Sequence, residues 1–216
     1  MFEFAKTPAT LVQIAAAAGL ATALALPAAV LARETLRPGM AAPDFTAEDS
    51  AGKPVALSAL KGRTVVLEWT NHGCPYVEKH YGSGTMQQLQ KDAAVKGVVW
   101  LTVVSSSPGQ QGYVQGLEAE KLTADRKAQP ANVLLDPQGK VGRLYGASTT
   151  PHMFVIDAAG KLAYMGGIDD KPSTSPSSLK GARPYVREAL DALAAGQPVT
   201  TASTRPYGCS VKYSGS

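Results

Sequence analysis

The sequence predicts an α/β fold: a central mixed sheet with helices on both faces and an N-terminal β-hairpin. Three observations lead there. Residues 64–70 and 98–105 are near-continuous apolar runs rich in β-branched side chains, as expected of strands covered on both faces. Segments of helical spacing separate the apolar runs, which implies crossover connections between parallel strands. Toward the C-terminal end, residues 152–156 and 162–165 flank Asp157-Ala158-Ala159-Gly160-Lys161, a turn that signals an antiparallel hairpin.

Taken in order, residues 1–32 hold one glutamate (Glu3), one lysine (Lys6) and a long apolar tract broken at Pro27. The lysine before the tract and Val30-Leu31-Ala32 at its end fit a secretory signal peptide cut after Ala32. An uncleaved membrane anchor is the alternative, since the tract approaches the roughly 20 residues that span a bilayer. Either way the working part lies outside the cytoplasm, and a bacterial periplasm is the expected location. The chain carries a net charge of +4, which loss of residues 1–32 leaves unchanged, and its basic residues are scattered singly. That pattern lacks the basic clusters of a nucleic-acid surface. A mature chain of 184 residues, 33–216, suits one domain with its own core.

Residues 33–41 form a leader, 42–196 the expected domain and 197–216 a tail. Ala42-Pro43-Asp44-Phe45 opens two short alternating runs around an Asp/Ser/Gly turn, the expected hairpin. A brief turn over 58–61 precedes the strand at 64–70. A helix follows from Pro75 to about Tyr81, halts at Gly82-Ser83-Gly84 and resumes over 85–95. Further helices are expected at 112–129, 140–145 and 182–194, a strand at 132–135 and a polar loop at 171–180.

The strand–loop–helix junction at 65–77 draws the chemistry. Cys74 falls at the helix N-cap and Pro75 at N1, where a missing N–H costs nothing. A thiol there faces unpaired N–H groups and the positive end of the helix dipole, which favour thiolate. The dipole alone moves a thiol pKa from about 8.5 to about 7 or 8, so stronger activation calls for a cation such as His72 or Lys79. The competing reading is a small buried hydrophobe, the usual fate of a free cysteine. The second cysteine, Cys209, lies in a Pro-Tyr-Gly-Cys context that predicts a flexible tail. A structural bond between the two would close a loop of about 135 residues, worth about 4–5 kcal/mol on the chain-entropy model; a redox bond would cycle instead.

The order of elements, the Ala42-Pro43-Asp44-Phe45 leader and the Thr149-Thr150-Pro151-His152-Met153-Phe154-Val155-Ile156-Asp157 segment resemble the thioredoxin-fold redoxins, the AhpC/TSA superfamily. The loop at 71–77 and Gly208-Cys209-Ser210-Val211-Lys212-Tyr213 are similar to an exported, peroxiredoxin-like branch, over roughly residues 40–213. The resemblance implies that Cys74 is the nucleophile and Pro151 the cis-proline. It also sets the Thr150 backbone beside the sulfur, where it can pair with an extended substrate. Glu68, six residues before Cys74, falls where thioredoxins keep a buried acid that moves protons; a solvated rim carboxylate is the alternative. The second cysteine of a thioredoxin is replaced by Val77. Asn71 stands where a typical peroxiredoxin has threonine, and no helper arginine can be assigned.

With no local partner, Cys209 becomes the candidate resolving cysteine, within one chain or across a dimer. The expected function is thiol-dependent oxidoreduction, by disulfide exchange or peroxide reduction, with no cofactor. Its partners would be a thiol reductant, a disulfide-bearing protein or a small peroxide, with no nucleic acid, and a membrane only if residues 1–32 stay attached. The alternative is a redox-idle binding module with a structural Cys74–Cys209 bond, or a copper chaperone using Cys74, His72 and His152. His80, at about 240° around the helix from Cys74, is expected to point elsewhere.

Overall fold

The computed structural model describes residues 1–3 and 35–215. The expected signal segment and its cleavage point fall almost wholly within 4–34 and so lie outside the described residues. From Thr35 onward the chain forms one compact unit. Among the described residues no helix is long and apolar enough to cross a membrane.

β1 (Thr46–Asp49) and β2 (Pro54–Ala56) form the antiparallel N-terminal hairpin. β3 (Val65–Trp69) and β4 (Val99–Val104) are parallel, from Val65 opposite Val99 to Trp69 opposite Val103. β5 (Asn132–Leu135) runs parallel to β4 and antiparallel to β1. A two-residue strand, β6 (Thr149–Thr150), stands apart from this sheet. β7 (His152–Ile156) is antiparallel to β3, and β8 (Leu162–Gly166) to β7. The sheet order is therefore β2-β1-β5-β4-β3-β7-β8, mixed as the sequence predicts.

Alternation along β3 sorts the core into two layers, because successive side chains point to opposite faces. Val65, Leu67 and Trp69 face one way and pack with Leu101, Phe154, Val141 and Tyr145, the last two from α4 (Lys140–Tyr145). Val66 faces the other way with Trp100, Met153 and Val155. These are covered by α1 (Pro75–Gly82), α2 (Thr85–Val95) and α5 (Tyr185–Ala194). Glu68 shares this second face, and Cys74 belongs to the same buried layer.

Two helices are shorter than expected. α3 spans Gly116–Asp125 rather than 112–129. Gly112 adopts a φ of +85, and a Cβ there would lie about 2.5 Å from the Asn71 side chain, so this stretch is a loop pressed against the candidate site. α5 starts at Tyr185 rather than 182 because Pro184 holds the preceding residue out of the helical region.

The tail is fastened rather than flexible. Thr204 N–H donates to Met165 O at 3.0 Å, and Val211 N–H to Ser148 O at 3.1 Å. Ser107 N–H donates to Lys212 O at 2.8 Å. The Tyr213 hydroxyl donates to Ala147 O at 2.7 Å beneath the Arg143 guanidinium, which stands 4.5 Å from the ring. Within the tail, β9 (Cys209–Ser210) pairs antiparallel with β6, Thr150 opposite Cys209 and Thr149 opposite Ser210.

Candidate active site

Cys74 is the N-cap of α1, in extended conformation at φ −89 and ψ 119, with Pro75 at the first helical position. Its side chain is 0% exposed. The Sγ–H donates to the Thr150 carbonyl oxygen at 3.1 Å, and the Thr150–Pro151 peptide is cis. The β6–β9 pairing lays Cys209 over the same spot, and the Cys209 side chain packs against the layer that contains Cys74. Gly208 makes the approach possible: it adopts φ +134, and a Cβ there would stand 2.0 Å from Thr150 O.

The two thiols differ electrostatically. Burial pushes the Cys74 pKa up. Hydrogen bonds from the Cys209 thiol, from Thr150 and from the backbone N–H groups of Cys209 and Val77 outweigh it, and the net shift is downward. Burial also pushes Cys209 up, to about 11, and the hydrogen bond and charge of a Cys74 thiolate add to the rise. Of the two sulfurs, that of Cys74 therefore ionises the more readily. The agents are hydrogen-bond donors rather than the His72 or Lys79 cation considered from sequence.

Glu68 is wholly buried and not a solvated rim group. Its carboxylate accepts from Tyr81 Oη and Trp100 Nε1, both at 2.8 Å, from Gln90 Nε2 at 3.2 Å and from Thr102 Oγ1 at 3.4 Å. Desolvation holds its pKa above the ordinary 4.5, opposed by the Trp100 and Tyr81 hydrogen bonds and the Arg126 charge. The folded state thus binds this proton more tightly than the unfolded chain. Its contribution to stability is complete below about pH 4.5 and fades as pH climbs through the raised value. Urea unfolding of wild type and Glu68→Gln from pH 4 to 8 should show the wild-type advantage shrinking as pH rises, by about 1.4 kcal/mol for each tenfold difference in proton affinity between the folded and unfolded chains. A difference that is flat with pH contradicts this.

Asn71 ties the candidate loop to its neighbour. Its Oδ1 accepts from Gly73 N–H at 3.0 Å, and its Nδ2 donates to Gln111 O at 3.2 Å. Gln111 Nε2 returns a bond to Gly73 O at 2.7 Å. His72 is half-buried and lines a groove with Val77, Tyr81 and Arg126. His152 is buried with its ring 4.4 Å from that of Phe154, and burial lowers its pKa to about 4. Its Nδ1 accepts from Ser148 N–H at 3.3 Å. Cys74, His72 and His152 do not assemble as a metal site: among the described residues no group of three or more His, Cys, Asp or Glu could hold an ion.

The sequence reading missed the β6–β9 pairing and a buried polar cluster of Lys79, His80, Asp169 and Tyr207. Two-residue strands carry no periodicity, and charged residues on a short helix read as solvent-facing. The one available signal was Gly before Cys209, which marks a place where backbones come close.

A cysteine capping a helix on a mixed sheet, beside a cis-proline, defines a thioredoxin-fold redoxin. The AhpC/TSA family pattern matches residues 38–165, and the chain belongs to that family. The thiol-disulfide oxidoreductase ResA of Bacillus subtilis (strain 168) is 26% identical over 132 residues, covering 56% of this chain and 74% of ResA. An uncharacterized conserved protein from Geobacillus kaustophilus superposes with a TM-score of 0.71 at 25% identity, over 85% of this chain and 95% of that one. The peroxidoxin BcpB from Mycobacterium tuberculosis shares the fold, with a TM-score of 0.52 at 22% identity over 74% and 97% of the two chains. At this coarse level the protein is an oxidoreductase of the thiol-disulfide and peroxiredoxin-like kind.

Proposed function

We propose that the protein is an exported thiol–disulfide oxidoreductase in which Cys74 is the nucleophile and Cys209 of the same chain resolves it. The observation that carries this reading is the pairing of Thr150 with Cys209, which holds the second thiol on the first. The Cys74 thiolate attacks one sulfur of a substrate disulfide; that S–S bond breaks, and one substrate thiolate leaves and takes a proton from solvent. Cys209 then gives up its proton and attacks Cys74 Sγ. The mixed disulfide breaks, the second substrate thiolate departs, and a Cys74–Cys209 bond remains. Two electrons have passed to the substrate, and an external thiol reductant restores the dithiol. Once Cys74 is in a mixed disulfide, the negative charge that helps raise the Cys209 pKa is gone, which favours the second step.

Because Cys74 is 0% exposed beneath the tail, residues 208–210 must peel from Thr149–Thr150 before substrate arrives. Thr150 and Pro151 border the sulfur, and Pro75 and Asn71 hold the loop that presents it. Glu68 has an indirect part, since its hydrogen bonds run to Tyr81, Gln90, Trp100 and Thr102. Disulfide exchange is preferred to peroxide reduction because the Asn71 carboxamide, at the place of the peroxiredoxin threonine, is engaged by Gly73 and Gln111. Export rests on the composition of residues 1–32.

The reduced protein, treated with one equivalent of a small aromatic disulfide, should release two thiolates per chain and yield a monomer with a Cys74–Cys209 bond on peptide mapping. Cys209→Ser should release one and keep the mixed disulfide on Cys74. Wild type that stops at one thiolate, or that pairs only between chains, defeats the reading.

A further inference from the structure

The buried cluster on α1 has no part in the chemistry above. Lys79 and His80 have side chains 0% exposed, and Asp169, after β8, is 5% exposed. They converge on the phenol of Tyr207. Its hydroxyl donates to the Asp169 carboxylate, accepts from Lys79 Nζ at 3.4 Å and meets His80 Nε2 at 3.3 Å. Lys79 Nζ also donates to Lys171 O at 2.9 Å and stands 5.2 Å from the Tyr207 ring centroid. The ring also lies 5.9 Å from that of Tyr76, tilted by 60°.

Burying three ionisable groups opposes folding unless each is satisfied, and apolar residues would fill the space at less cost. What this cluster accomplishes is to fix Tyr207, two residues before Cys209. Lys79 and His80 stand five and six residues after Cys74, so one short helix carries the nucleophile at its start and the clamp for the tail farther along. The spacing between sulfur and clamp is thereby set by a rigid element, and only Gly208 separates the clamped residue from the resolving cysteine.

We infer that Tyr207, held by Asp169, Lys79 and His80, is a positioning residue for Cys209: it stays clamped when residues 208–210 peel away and keeps the resolving thiol within reach of Cys74. This rests on the proposed exchange reaction. The step it serves is attack of Cys209 on Cys74 with release of the second substrate thiolate.

The test uses Tyr207→Phe, which keeps the ring and deletes the hydroxyl, and Asp169→Asn as a second route to the same clamp. In a Cys209→Ser background, release of the first thiolate should stay within twofold of the Tyr207 parent. With Cys209 present, closure of the Cys74–Cys209 bond should slow about tenfold. Equilibrium with a glutathione buffer should shift about tenfold toward the dithiol, raising the potential by about 30 mV. Closure and equilibrium within twofold of wild type in both variants overturns the inference. So does an equal fall in the first step, which marks a merely structural role, or failure of both variants to fold. Wild type that itself never closes the bond counts against the exchange reaction rather than against the clamp.

Discussion

Replacing Cys74 by serine should lower the rate of exchange with a small disulfide by about 10³-fold or more. The magnitude follows from the chemistry: a serine hydroxyl is not appreciably ionised near neutrality, and the donors gathered at this position have no thiolate to stabilise. Those donors are the Cys209 thiol, Thr150 and the N–H groups of Cys209 and Val77. Cys209 is a poor substitute, because burial, the larger cause of its raised pKa, acts on it whether or not a sulfur stands at position 74. The measurement is thiolate release under pseudo-first-order conditions, with circular dichroism to show that the variant is folded. Residual exchange at a tenth of the wild-type rate or above would assign the nucleophile elsewhere.

Gly208→Val produces the second large effect. A Cβ at this position would lie 2.0 Å from Thr150 O, a backbone atom with little room to yield, and the φ of +134 is one that a β-branched residue avoids. The tail strand cannot seat, and two donors to Cys74, the Cys209 thiol and its N–H, leave with it. Closure of the Cys74–Cys209 bond should fall about 10²-fold, in keeping with about 1–3 kcal/mol of backbone strain plus the contact itself. The Cys74 titration, followed by ultraviolet absorbance of the thiolate, should move upward. Gly208→Ala should fall between this variant and wild type. A folded Gly208→Val protein that closes the bond at the wild-type rate shows that the β6–β9 pairing is not what brings the sulfurs together.

Much of the molecule was legible as one-dimensional pattern. β-branched runs marked β3 and β4, the turn at 157–161 marked β7 and β8, and the helix break at Gly82-Ser83-Gly84 separated α1 from α2 as expected. Cys74 and Pro75 could be set at a helix start because capping and proline preference act within a few residues. Glu68 could be nominated only by its offset from Cys74. Its burial depends on Tyr81, Gln90, Trp100 and Thr102, which come from α1, α2 and β4. His152 sat one residue after the cis-proline in sequence, yet alternation along β7 gives its ring to Phe154 and not to a metal site.

The sequence by itself determined the order of the main strands and helices and the helix-capping cysteine, because each depends on spacing between near neighbours. Tertiary structure alone decided which thiol ionises the more readily and what reaches it. Residues 74, 150 and 209 are brought together by a short strand and a returning tail; the donors that lower the Cys74 pKa come from three separate stretches of chain, and burial raises that of Cys209. Solvation and hydrogen bonding of that kind depend on distance in space, which the pattern of residues along the chain does not encode.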